Sequence, residues 1–263
     1  MRKWLGHLDG LLRGEKTRKE QLETGEWDLP LPRCCGMAII LGVVYGVFMG
    51  IFAATDGRGE GWRQLIASAV KIPALFLLTL LVTFPSLYVF AALAGCQMGF
   101  RAVLRLLVAV IVVTLAIAAS LAPILGFFTL STTSYNFMVL LNVVLLAVAG
   151  FVGLGFLRNA LRKLMAMSYQ PPAQAPRAEG AERAPLEERL ERRMAATHSV
   201  RSQDAAHHIF RLWILIYCLV GAQMGWLLRP FIGSPGLPFT WFRARTSNFF
   251  AAIFDHLEKL FGQ

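Results

Sequence analysis

The sequence predicts an all-α fold: a polytopic transmembrane helical bundle of about five spans, N-terminus in and C-terminus out, with amphipathic interfacial helices at both ends. Three observations predict it. Hydrophobic residues make up 56% of the 263 and charged residues 16%, with a mean hydropathy of +0.55, a balance that belongs to membrane proteins and not to a water-excluding core. Five apolar runs approach or exceed the length that crosses a bilayer core of about 30 Å as a helix. With the N-terminus inside, 19 of the 26 Lys and Arg residues fall on the cytoplasmic side of these runs, as the charge bias of inner-membrane proteins requires.

The first segment, residues 1–33, reads as a cytoplasmic amphipathic helix. Trp4, Leu5, Leu8, Leu11 and Leu12 share one helical face among Arg2, Lys3, Arg13, Lys16, Arg18 and Lys19, a pattern suited to a membrane surface with anionic lipid. Asp9 and Arg13 interrupt the apolar stretch, so no cleaved signal is expected. Residues 34–157 form a four-span region. Cys35 to Ala54 carries no charge, and Gly42, Gly46 and Gly50 recur at four-residue spacing, placing three flat patches on one face. That seam serves either a dimer or packing within its own bundle. Thr55 to Lys71 is a short polar link, and Ile72 to Gly95 is the second span; Pro85 removes an intrahelical hydrogen bond and predicts a kink, with Thr79, Thr83 or Ser86 available to the freed backbone groups. The third span ends near Phe128, and the fourth, Phe137 to Leu157, contains Asn142, whose amide in a bilayer must face protein or water.

Residues 158–208 form a charged cytoplasmic linker. Its basic opening, LRNALRKLMAM, continues the fourth helix, and LEERLERR has the spacing of helical charge pairs. The fifth span, 209–228, carries Gly221 and Gly225 as a second small-residue seam, with Gln223 beside them facing the bundle. Residues 229–263 form an outer-face turn and a closing amphipathic helix, N-capped at Ser247. Trp226, Arg229, Trp241, Arg243 and Arg245 make an aromatic-basic cap. It is either a belt that fixes helix depth or a docking face for a partner or head group.

The chemistry is sparse. The spans hold no Asp or Glu in their interiors, which argues against ion-coupled transport, and no nucleophile elbow, zinc-protease motif or phosphate loop is present. No catalytic residue, cofactor or metal is expected; adjacent His207 and His208 point in different directions on a helix. The net charge of +10 is explained by cytoplasmic loops, so no nucleic-acid partner is expected. Cys34, Cys35, Cys96 and Cys218 lie in or beside apolar runs and make no disulfide framework.

Two stretches, Lys71 to Gly95 with the downstream SLAPILGFF, and GAQMGWLLRPFIGSP with FTWFRARTSNFF, resemble a family of bacterial multi-pass membrane proteins, some of whose members are labelled WH2 actin-binding proteins. The resemblance implies a bacterial inner membrane and no defined activity. Actin binding is not carried over, because the WH2 tetrad has only Leu161-Arg162-Lys163-Leu164 as a counterpart, beside a membrane span. The expectation is therefore a non-catalytic integral membrane protein, a self-associating homo-oligomer or a binder of a membrane partner. The alternative is an oligomeric channel or permease lined by the kinked second span, Pro85, Thr83 and Asn142.

Overall fold

The computed structural model describes residue 10 and residues 31–55, 61–93, 100–168, 211–233, 238–243 and 247–262, with the backbone alone for 91–93 and 162–168. Among them are six helices and no strand: α1 (Leu31–Ala54), α2 (Gly61–Leu93), α3 (Phe100–Ser131), α4 (Tyr135–Ser168), α5 (Arg211–Leu227) and α6 (Phe249–Phe261). Four of these, α1 to α4, are long and apolar enough to cross a membrane; α5 is apolar but shorter, at 17 residues. The remaining N-terminal segment, LEERLERR, His207, His208 and Arg245 lie outside the described residues.

One element boundary differs from expectation. The second helix begins at Gly61, so most of the anticipated polar link is its first three turns. Those turns read as polar because of Arg63, Gln64 and Lys71, yet Gln64 and Lys71 are buried by the C-terminal segment, which the linear sequence cannot show. The fourth helix runs on through the basic extension to Ser168, as its periodicity predicts.

The centre of the bundle is α3. Its apolar window is 72% buried against 28% for α4, so α3 is surrounded by protein while α4 keeps a broad outer face. That outer face includes Val144, Val148, Phe151 and Val152, and α1 likewise exposes Ile39, Ile40 and Val44. Lipid tails are as apolar as these side chains, so helix association has to come from close packing and buried polar bonds.

Close packing is supplied by glycine. A Cβ on Gly46 would stand 2.5 Å from Ser68 O and 2.7 Å from Ala69 Cα, one on Gly50 2.6 Å from Leu65 Cα, and one on Gly42 3.1 Å from Pro73. The Gly42/Gly46/Gly50 stripe is therefore occupied by α2 of the same chain, which removes the motif on which a dimer seam was based. A fourth contact was not anticipated as such: a Cβ on Gly153 would collide with Thr114 Oγ1 of α3, whereas Gly150 and Gly155 have nothing within 4 Å among the described residues.

Helix α2 is continuous through Pro73 and Pro85. The nearby hydroxyls do not take up the role expected of them. Pro85 frees the carbonyl of Leu81, but Thr79 Oγ1 donates to Leu75 O, Thr83 Oγ1 to Thr79 O and Ser86 Oγ to Thr83 O, each at 2.7 Å. Each hydroxyl doubles up on a carbonyl of its own helix, three or four residues back, as Ser and Thr do in apolar surroundings. Ser86 has a second task, accepting a 3.1 Å bond from Nε1 of fully buried Trp213, which docks α5 against α2.

Candidate functional site

The C-terminal residues close one end of the bundle, and what holds them is polar. From α2, Gln64 Nε2 donates to Phe231 O at 2.8 Å and Pro230 O at 3.1 Å, and Ser68 Oγ donates to Phe231 O. One helical turn further on, the Lys71 ammonium donates to Pro230 O at 2.9 Å and to Trp241 O, and it stands 5.3 Å from the Phe242 ring centroid and 6.0 Å from that of Trp241. A cation so enclosed is tolerable only because carbonyl dipoles and ring faces replace its water. The turn contains a cis peptide at Arg229-Pro230.

After the turn the chain returns along α4. Asn248, not Ser247, is the N-cap of α6, its side chain accepting from Ala251 N at 2.9 Å. The reason is register: the cap side chain must reach the amide three residues on, and the helix starts at Phe249. Ser247 serves instead through its carbonyl, which accepts from Trp226 Nε1 at 2.6 Å. His256 faces the start of α4, its Nδ1 2.8 Å from Asn136 Oδ1 and its ring edge-on to Tyr135 at 5.7 Å. The outer face of α6 leaves Phe250, Phe254 and Phe261 exposed, as an interfacial helix does.

Burial pushes the His256 imidazole below its usual pKa, Asp255 opposing and Lys259 adding to that shift. The groups facing it are the Tyr135 ring and Asn136 from α4, and Asp255 and Lys259 from its own helix. The fold therefore favours neutral imidazole. Its contribution to docking α6 is complete above about pH 6.5, the unfolded value, and is lost as the pH falls from there through the lower folded value. Amide exchange across 249–261, corrected for intrinsic rate, is expected to accelerate as the pH drops below about 6.5. It should lose that dependence in His256→Gln; the same pH profile in both proteins would refute the assignment.

Beneath this cap lies a cavity of about 560 Å³ bounded by all of α1, α2, α4, α5 and α6. Arg229, Arg243, His256, Trp226 and Asp255 line it where the cap closes, and Ile72, Leu75, Val139 and Leu146 line its apolar part. Tyr135 and Leu146 both border it, so it extends about 16 Å along α4 at a rise of about 1.5 Å per residue. The Arg229 guanidinium lies 3.5 Å from the Trp226 ring centroid. Burial first, and then the nearby charge of Arg243, lower the pKa of Arg229. Asp255 is engaged by Lys259 at 2.7 Å.

The anticipated residues divide between this site and plain packing. Trp226, Arg229, Arg243, Asn142 and Gly225 border the cavity; Trp241 lies in the cap and Thr83 is spent inside α2. Asn142 Oδ1 accepts from Tyr45 Oη at 2.7 Å, a bond between α4 and α1. Gly221 makes ordinary contact with Thr79, but a Cβ on Gly225 would meet nothing within 4 Å. Gly225 is thus not the packing device expected of a small-residue seam, because the space beside it is open. Gln223 is half-buried. Gln64, Ser68, Lys71, Tyr45 and Trp213 were not anticipated; a cation and an amide at helical spacing next to an apolar run were the available signal for two of them. No group of three His, Cys, Asp or Glu able to hold a metal occurs among the described residues. Comparison with family models, with curated proteins and with solved structures finds no match to this chain.

Proposed function

We propose that the protein is a non-catalytic integral membrane component that holds a second, membrane-resident molecule in the cavity under its C-terminal cap. The observation that carries this reading is the cavity itself. A concave, mostly apolar space of about 560 Å³ with a few converging polar groups is the usual form of a small-molecule site. The acid-base groups at its rim are already engaged, Asp255 with Lys259 and His256 with Asn136, which supports binding over turnover. The distribution of Lys and Arg supports an arrangement in which the capped end faces the outer side of the membrane.

Gly225→Leu tests the proposal, because Gly225 borders the cavity and a Cβ there meets nothing within 4 Å among the described residues, so the larger side chain takes up cavity space. In detergent, added membrane amphiphiles of one class or another should raise the melting temperature of the unaltered protein, as any ligand selective for the folded state does. They should leave Gly225→Leu unmoved. Equal stabilisation of both proteins by every amphiphile, or of neither, would overturn the proposal.

A further inference from the structure

Resting on that reading, we infer that the occupant is an anionic phospholipid, its phosphate head group held between Arg229 and Arg243 and an acyl chain lying along α4 toward Leu146. Among the described residues, the charges that border the cavity are two guanidiniums against the carboxylate of Asp255, which is itself paired with Lys259, while the His256 imidazole beside them is neutral. The excess is positive at the rim. Both guanidiniums have interactions of their own within the protein, so the head group adds to an existing arrangement.

The two arginines are close enough for Arg243 to disfavour the charged form of Arg229. Like charges held together at a cavity rim gain most from an anion placed between them, and the forked guanidinium suits phosphate oxygens. Trp226, in contact with the Arg229 guanidinium and fixed by its bond to Ser247 O, restrains that group at the rim. The other half of the ligand follows from the walls. Below the rim the lining is Leu75, Val139, Val143 and Leu146, with one amide, Asn142, whose oxygen is taken by Tyr45. A free phosphate would leave that apolar depth empty, whereas a lipid fills both parts.

Native mass spectrometry of the full chain in detergent, titrated separately with phosphatidylglycerol, phosphatidylcholine and inorganic phosphate, tests the inference. The expected result is a one-lipid adduct with phosphatidylglycerol, roughly tenfold tighter than with phosphatidylcholine, as one or two charge-assisted hydrogen bonds would give. Arg243→Gln should weaken it by roughly the same factor, Arg243→Lys by less, and Gly225→Leu should abolish it. Adducts of both lipids with equal affinity, both abolished by Gly225→Leu, would overturn the anionic assignment and leave the binding function standing. A phosphatidylglycerol adduct that survives Gly225→Leu would place the lipid elsewhere and overturn the inference. Inorganic phosphate that displaces phosphatidylglycerol, or binds as tightly alone, would overturn the lipid in favour of a soluble anion. No adduct with either lipid would overturn the inference and the binding function together.

Discussion

Gly46→Val is expected to separate α1 from α2 and cost about 3 kcal/mol or the folded state itself. The atoms that its Cβ would approach within 3 Å are Ser68 O, Ala69 Cα and Ser68 C, all backbone, so no rotamer change relieves the contact. The helices have to move apart, and α2 carries Gln64, Ser68 and Lys71 with it, loosening the cap as well. Gly150→Val is the control, since a Cβ there meets nothing within 4 Å. Thermal unfolding in detergent with size-exclusion chromatography reads the outcome. A Gly46→Val protein of unchanged melting temperature that has merely lost an oligomer would show that the seam works between copies, contrary to the packing described.

Lys71→Met should release the C-terminal cap while leaving the spans folded. The substitution keeps much of the stem volume but strips Trp241 O of its donor, leaves Pro230 O with Gln64 Nε2 in place of two donors, and removes the cation from the Trp241 and Phe242 rings. Losing a charged donor to buried carbonyls costs about 2–3 kcal/mol, a loss confined to the segment it tethers. Limited proteolysis should cut near residues 238–243 much faster than in the unaltered protein, with helical circular dichroism unchanged. Cleavage at the original rate would mean that Gln64 and Ser68 suffice to hold the cap. A general loss of helix would mean that Lys71 supports the bundle and not the cap alone.

Much of the fold is legible in the sequence because membrane spans announce themselves by length. Leu31–Ala54, Phe100–Ser131 and the basic continuation of α4 to Ser168 all follow from apolar runs and helical spacing. The site is less legible, for reasons that particular residues make plain. Gly42, Gly46 and Gly50 form a recognisable stripe, but only the structure shows that α2 of the same chain covers it. Gly221 and Gly225 look identical in spacing, and there the second opens onto a cavity. Lys71 reads as the polar end of a link because its burial depends on residues 230 and 241, about 160 positions away in the chain. The pairing of Tyr45 with Asn142 has the same origin: a buried amide demands a partner, but its own helix does not say which neighbour supplies it.

That distance along the chain has a consequence for biogenesis. The first turns of α2, which receive the cap, are made 166 to 170 positions before their partners Pro230, Phe231 and Trp241. Until they arrive, the Lys71 ammonium and the Gln64 amide have no carbonyls to bond, and the space beside Gly225 has no ceiling. The nascent protein therefore passes through a stage in which the chamber beneath the cap stands open at one end. Closure belongs to the segment that follows α5, so a chain shortened before Trp241 should reach the membrane yet keep an unroofed chamber.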